Sequence, residues 1–455
     1  MTLGSDSATE PQETNATRWK PSRYNLVVSK DERVFIANTL SRSSIALHGA
    51  MGQAVLGLLR PSSSNVDAGA SPALQLLAEN GFIVADEADE VAAAMARYTT
   101  VRRDTDMLGL VIAPTMSCNM GCYYCYEDKN DNHMSSDLAD RICAFASEHL
   151  KDNGALEVKW HGGEPLQQVD FIRSLSLRLR QLAASRGCTY RAAMISNCYF
   201  LSEQVAETLA NDCAVESIQV TFDGDRDSHD RIRRDKNARS ESSFDRILGN
   251  VVAASEVIRI VVRVNVSPLN VASMPALLQR LSEAGLTGKC AELYFHPVFR
   301  YRPSLPGAPY APRQNGNFTV REFAALETGF LELARGLGFK VGDFLTVPYA
   351  SCAAVYDNSF VVDADGGLKK CYHDFGNASA SFASLTDDTV ANADNYDKWT
   401  AFTPVDDPQC KACELLPICY SSCPHKVFSK APREEICPTL KYNWRERLPM
   451  VLEQV

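Results

Sequence analysis

The chain has 455 residues, 45% of them hydrophobic and 22% charged, which describes an ordinary globular protein of about three domains. Its net charge of −10 carries no electrostatic footprint for nucleic acid, and no apolar run is long enough to span a membrane. The N-terminus lacks a basic-then-apolar targeting signal, so a cytoplasmic location is expected, where fifteen cysteines point to metal rather than to disulfides.

Residues 1–18 are polar and read as a disordered tail. Tyr24–Val28 and Val34–Asn38 flank Lys30-Asp-Glu-Arg33 as a hairpin, and Ser44–Leu47 adds a third short strand. A helix over Ala50–Leu59 ends at Pro61, and 62–69 reads as a loop. A second helix over Pro72–Glu79 stops at Asn80-Gly81; Phe82–Val84 is a small strand and Glu87–Tyr98 a third helix. Residues 19–100 thus suggest a compact winged-helix-like module.

Residues 101–310 alternate. Strand patterns fall at Leu108–Ala113, Leu156–Trp160, Ala192–Ser196, Ser217–Phe222, Ile258–Val266 and Ala291–Phe295. Amphipathic stretches lie between them at Ser136–Lys151, Asp170–Arg186, Ser202–Asn211, Ser243–Ser255 and Ser273–Ala284. Six β–α repeats with short loops imply parallel strands and right-handed crossovers, too few for a closed eight-stranded barrel. The expected fold class is therefore α/β, a partial (β/α)6 barrel. Tyr301–Gly316 reads as a linker or lid, and 311–348 as a bridging region with a helix over Thr319–Gly336. Residues 349–455 have weak periodicity and seven cysteines, the mark of a small unit stabilised by metal.

Cys118-Asn-Met-Gly-Cys122-Tyr-Tyr-Cys125 follows the first of these strands. Three thiolates this close can hold three corners of one cluster. A four-iron cubane then keeps one iron free, and an unfilled position marks a working metal site. A zinc knuckle or three buried thiols is the plain alternative. The spacing, with aromatic Tyr124 before the last cysteine, resembles the CxxxCxΦC signature of the radical S-adenosylmethionine (SAM) enzymes.

Further motifs sit at the C-terminal ends of strands, where such folds place their chemistry. In Trp160-His-Gly-Gly-Glu164-Pro165, glycines permit close backbone approach and a carboxylate can accept from an ammonium. Gly162, Gly163 and Glu164 resemble the GGEP motif that holds the SAM amino group. Ser196-Asn197 resembles the pair that reaches the SAM ribose; Cys198 stands where the family often has glycine. Thr221-Phe-Asp223-Gly224 with His229-Asp-Arg231-Ile-Arg233 resembles the S-L-D-G…H-D-x-x-R block of the SPASM-bearing branch. There Thr221 and Arg233 suit the SAM carboxylate, while Asp223 and Asp230 serve equally well as helix caps or arginine partners.

Cys352-x13-Gly366-x4-Cys371, then Cys410-x2-Cys413-x5-Cys419-x3-Cys423-x13-Cys437, resembles the seven-cysteine SPASM domain. The resemblance implies interleaved ligands: Cys352, Cys371 and Cys423 for one auxiliary cluster, Cys410, Cys413, Cys419 and Cys437 for the other. Some relatives close the first cluster with an eighth cysteine, but none stands near Asn358, which leaves its fourth iron open to substrate or to an oxygen, a nitrogen or an out-of-family cysteine. The remaining five cysteines, at 143, 188, 198, 213 and 290, read as small buried hydrophobes.

Together these features resemble a radical SAM/SPASM peptide maturase whose N-terminal module is a PqqD-like element that binds a leader peptide by edge-strand addition. The resemblance implies three [4Fe-4S] clusters and SAM, a precursor-peptide substrate, and a reducing partner such as flavodoxin or ferredoxin. It also implies an oxidative cross-link in the peptide, of the C–C cyclophane type first and a thioether second. Asp374, His373, Tyr372 and His296 are candidates to take the proton that leaves. A sulfatase maturase forming formylglycine, and a non-catalytic Fe–S electron-transfer or peptide-binding protein, are the alternatives.

Overall fold

The computed structural model describes residues 18–60, 66–67, 72–237, 241–299, 317–346 and 352–453. The tail over 1–17, most of the 62–69 loop and the 301–316 linker lie outside the described residues.

The N-terminal part holds two small sheets. Strands β1 (Arg18–Pro21), β2 (Asn25–Lys30), β3 (Arg33–Asn38), β4 (Ser44–His48), β5 (Val66–Asp67) and β6 (Ile83–Ala85) pair as β5-β1-β6 and β2-β3-β4. The β2–β3 hairpin and β4 fall where alternation places them. Arg18, expected in the tail, instead opens β1, because Trp19, Lys20 and Pro21 find backbone partners in β6. The expected helix at Glu87 begins at Glu90, since Asp89 caps it by accepting from Ala92 N at 2.9 Å.

Six parallel strands form the centre: β7 (Met107–Ile112), β8 (Ala155–Trp160), β9 (Thr189–Ile195), β10 (Val215–Phe222), β11 (Arg259–Val266) and β12 (Cys290–Pro297). They lie in sequential order, each pair parallel. Helices Ser136–His149, Val169–Ser185, Glu203–Asn211, Ser243–Ala254 and Met274–Glu283 cross over between them. Their buried faces share one core with the strands. Serines 135, 202 and 242 cap three of these helices, and Thr319 with Glu322 forms a full capping box on Val320–Gly336. A short helix, Arg226–Ile232, escapes sequence reading because its seven residues overlap the motif after β10.

The C-terminal segment is not a separate appendage. Strand β13 (Ser359–Val362) pairs in parallel with β7, and β14 (Gly367–Lys369) and β15 (Ala383–Ser384) follow, so the central sheet runs to nine strands. Asn358, where some relatives have their eighth cysteine, donates to the carbonyls of Thr105, Met107 and His149 and pins the start of β7. The last helix, Leu440–Leu452, packs Leu440, Trp444 and Leu448 against Leu26, Phe35 and Ala37 of the N-terminal sheet. Among the described residues no helix is long and apolar enough to cross a membrane.

Candidate functional site

The loop leaving β7 carries the first cysteine triad and is folded back on itself. Met116 N donates to Asn132 O, Met134 N to Pro114 O, and Glu164 N to Ser117 O at 2.8 Å. This last bond lays the turn after β8 on the cysteine loop, and only glycine allows it. A Cβ on Gly163 would lie 2.2 Å from Ser117 O, one on Gly162 2.5 Å from Ala113 Cβ, and both residues have positive φ. A second tie comes from Glu127 Oε2, which accepts from Gly163 N at 2.9 Å.

Glu164 is fully buried behind this turn. Its carboxylate accepts from Ser196 Oγ at 2.7 Å, Leu166 N at 2.9 Å and Asn197 N at 2.7 Å. Burial pushes its pKa above the ordinary carboxylate value, against those bonds. A carboxylate has about four acceptor sites, so roughly one is left for an ammonium. Asn197 Nδ2 donates to Asn119 Oδ1 at 2.8 Å, joining the end of β9 to the cysteine loop. Cys198 follows with φ 61, so this cysteine holds the left-handed turn that glycine would adopt without cost.

Tyr124 does more than fill space. Its hydroxyl donates to Asp223 Oδ2 at 2.6 Å and accepts from Arg233 Nη1 at 2.8 Å and Asn265 Nδ2 at 3.0 Å. Among the described residues Arg233 Nε and Asp223 Oδ1 are buried with no hydrogen-bond partner. The open Arg233 Nε beside the triad fits the carboxylate of an amino-acid cofactor. Asp230, by contrast, accepts from Phe244 N and Ser243 Oγ and secures a helix start.

Cys118, Cys122, Cys125, Gly163, Ser196, Asn197, Thr221 and Arg233 line one cavity of about 460 Å³. Gly162 and Glu164 stand behind its wall. Tyr372, His373 and Cys423 form part of the opposite wall, with His296 at the end of β12. Burial, then the neighbouring His425, pulls the His373 pKa down to about 3. Burial and then Arg263 hold His296 well below its ordinary value. Burial raises Asp374, which lies 3.9 Å from His425 and is not on the cavity wall.

Several wall residues went unread in the sequence. Tyr126 Oη and His161 Nε2 are 2.9 Å apart, and Tyr126 lies 4.4 Å from His373, ring to ring. Glu127 comes within 3.8 Å of His161. Burial lifts the carboxyl to about 7 and drops the imidazole to about 3, so this contact is not an ion pair. Arg263 donates to Asn265 Oδ1 at 2.8 Å. The available signal was position alone: Tyr126 and Glu127 directly follow Cys125, and His161 directly precedes the glycines.

The C-terminal cysteines gather in two groups. Cys410, Cys413, Cys419 and Cys437 line one small pocket with Arg433 and Lys441. Cys423 lies close enough to raise the Cys352 thiol pKa, and Cys352 and Cys423 that of Cys371, although burial is the larger cause for both. Cys198, Cys213 and Cys290 are buried as expected, whereas Cys143 and Cys188 are only partly so. No three His, Cys, Asp or Glu side chains among the described residues gather tightly enough to hold a single metal ion.

Residues 112–281 match the family model of the radical SAM superfamily, so this part of the chain is a radical SAM domain, a class that implies a [4Fe-4S] cluster and SAM. Fe-coproporphyrin III synthase of Methanosarcina barkeri is 27% identical over 192 residues, 42% of this chain and 44% of that protein. The match therefore spans less than half of the synthase. An uncharacterized protein of Archaeoglobus fulgidus is 23% identical over 363 residues, 75% of this chain and 80% of its own length. Among solved structures, anSMEcpe with bound AdoMet superimposes with a TM-score of 0.57 at 15% identity, covering 76% of this chain and 98% of that one. Streptococcus suis SuiB bound to precursor peptide SuiA gives 0.51 at 15% identity, covering 92% and 99%. The shared feature is the fold, a radical SAM barrel within a SuiB-like multidomain arrangement.

Proposed function

We propose that this chain is a radical SAM peptide maturase that removes a hydrogen atom from a ribosomally made precursor and installs an oxidative intramolecular cross-link, C–C in type before C–S. One observation carries the reading: a cysteine triad, the Gly163 turn, the Ser196–Asn197 strand end and Arg233 surround one cavity, and Cys423 of a second cysteine set lines the same cavity. SuiB, which shares the fold along most of the chain, is described with a precursor peptide bound.

Cys118, Cys122 and Cys125 would hold the first [4Fe-4S] cluster. Cys352, Cys371 and Cys423 would hold a second, and Cys410, Cys413, Cys419 and Cys437 a third. When bound, the first cluster and SAM supply the 5′-deoxyadenosyl radical that abstracts hydrogen; the protein's share is binding, orientation and exclusion of water. Gly163, backed by Gly162 and Glu164, would form the turn that receives the SAM amino group, Ser196 and Asn197 would meet its ribose, and Thr221 and Arg233 its carboxylate. Tyr372, His373 and His296 line the same cavity, and the two imidazoles, kept neutral by burial, suit the role of proton acceptor better than the Tyr372 phenol, whose pKa burial raises; Asp374 lies off the wall, 3.9 Å from His425. Residues 19–100 would bind the leader, the outer edge of β4 being without a partner strand among the described residues.

Anaerobic incubation of reconstituted protein with SAM and dithionite should release 5′-deoxyadenosine, and Cys122→Ala should abolish it. Continued release from that variant refutes the catalytic triad. Co-expression with the short open reading frame beside the gene should give a peptide lighter by two hydrogens per cross-link and resistant to fragmentation inside the ring. A change confined to one Ser or Cys would instead indicate formylglycine. Deleting 23–100 should weaken precursor binding while uncoupled SAM cleavage continues; unchanged binding excludes the leader role.

A further inference from the structure

The two C-terminal cysteine sets differ in what their sulfurs touch. Cys410 Sγ accepts from Arg433 Nη2 at 3.0 Å and from Ser421 Oγ at 3.1 Å. Cys413 Sγ accepts from Lys441 Nζ at 3.2 Å and from Leu415 N at 3.4 Å. Two cations and a hydroxyl thus aim at ligand sulfurs in one pocket. Each cation keeps a carboxylate partner as well, Asp407 for Arg433 and Glu414 for Lys441.

The other sets have cations within Coulombic reach, Lys159 and Lys370 at Cys352, Lys129 at the barrel triad and Arg233 at Cys122, but none of these donates a hydrogen bond to a cysteine sulfur. Among the described residues no side chain donates to Cys352, Cys371 or Cys423; Cys352 and Cys371 receive only backbone N–H groups, from Ala354 and His373. In the barrel triad, Cys118 Sγ has Met120 N at 3.5 Å and Asn197 Nδ2 at 4.0 Å, both neutral. Lys426 has Coulombic contact with both Cys423 and Cys437, so it does not distinguish the two C-terminal sets.

Reducing an iron–sulfur cluster adds negative charge, so donors to its sulfurs and nearby cations favour the reduced form and raise the potential. We propose that the four-cysteine set holds the auxiliary cluster of higher reduction potential, and that Arg433 and Lys441 set it there. The proposal rests on the reading that both C-terminal sets bind [4Fe-4S] clusters. It makes the four-cysteine set the place where an electron taken from the substrate collects. Held there, a cluster would supply an acceptor for the one electron that the substrate carbon radical loses, with a proton, as the new bond closes, and a one-electron acceptor protein of the flavodoxin or ferredoxin class would reoxidise it.

The test is an anaerobic redox titration of the reconstituted full-length protein, followed by electron paramagnetic resonance. Cys371→Ala and Cys437→Ala assign the two auxiliary waves. The wave lost in Cys437→Ala should be the higher one, and should move to lower potential in Arg433→Gln and Lys441→Gln and further in the double variant. Arg433→Lys and Lys441→Arg should restore most of the shift. Glu414→Gln, which removes the carboxylate opposing Lys441, should move the wave upward. An unmoved wave in variants with full iron content, or a Cys437-sensitive wave that is the lower of the two, overturns the proposal. If Arg433→Gln loses iron, the Glu414→Gln arm decides. A wild type that binds iron for one cluster only refutes the underlying cluster reading instead.

Discussion

Three residues separate Cys419 from Cys423, yet one lines the small four-cysteine pocket and the other the large cavity. The backbone between them explains how. Tyr420, Ser421 and Ser422 all have positive φ, 45, 66 and 56, a run that non-glycine residues avoid at a cost of about 1–2 kcal/mol each. Tertiary contacts hold it in place: Tyr420 Oη donates to Ala94 O and Ser421 Oγ to Cys410 Sγ. The small pocket is buttressed by the N-terminal part, where Thr39 Oγ1 donates to Glu414 O at 2.7 Å, and is furnished with cations. Cys423 looks onto the aromatic rings and the barrel. Neighbours in sequence therefore face two different environments, one a large cavity walled by aromatic rings and one a small pocket furnished with cations.

Separating the two sets gives the largest effects. Cys423→Ala and Cys419→Ala should each remove the iron of one cluster and abolish peptide product, while 5′-deoxyadenosine formation survives. If either variant empties both sets, measured as iron and sulfide content, the sets are not independent. On the barrel side of the cavity, Arg233→Gln leaves Asp223 buried without its cation. A loss of about 3–5 kcal/mol is expected, read as a fall in denaturant midpoint together with weaker SAM binding.

Gly163→Ala tests the approach that brings the barrel triad within reach of the cavity. Strain at positive φ costs on the order of 1–3 kcal/mol, and the collision with Ser117 O adds to it. SAM binding should fall more steeply than thermal stability. Tyr124→Phe removes a hydroxyl that serves Asp223, Arg233 and Asn265, and should cost about 1–3 kcal/mol with every cluster retained. A further effect concerns pH. His161 is depressed to about 3 in the folded chain against an ordinary 6.5, so the unfolded chain binds the extra proton between those values. Stability should therefore be full above pH 6.5 and decline toward pH 3, and His161→Gln should flatten that acid limb in urea titrations at pH 4 and pH 7.

Much of the fold was legible because the relevant signals are local. Alternation and helical spacing located all six barrel strands and the five crossover helices to within a few residues, since each element buries its own apolar face. The Arg226–Ile232 helix is too short to show a period, and β1 depends on partners tens of residues away. The motif glycines were readable for the same local reason, a turn that no side chain tolerates. Tyr126, Glu127 and His161 were not, because nothing in their own spacing announces a shared wall.

By itself the sequence determined the repeating strand–helix order, the positions of the cysteine groups and the glycine turn that accompanies the first of them. Each depends on residue type at short range. Only the tertiary structure decided that β13 and β14 complete the barrel sheet, that Asn358 anchors β7 and that Glu164 is enclosed by Ser196 and Asn197. It alone also decided that Arg433 and Lys441 reach the sulfurs of Cys410 and Cys413. The side-chain contacts among these join residues 23 to 251 apart, with Arg433–Cys410 and Lys441–Cys413 separated by 23 and 28. Burial and hydrogen bonding across such distances are set by the packed whole, which no local pattern encodes.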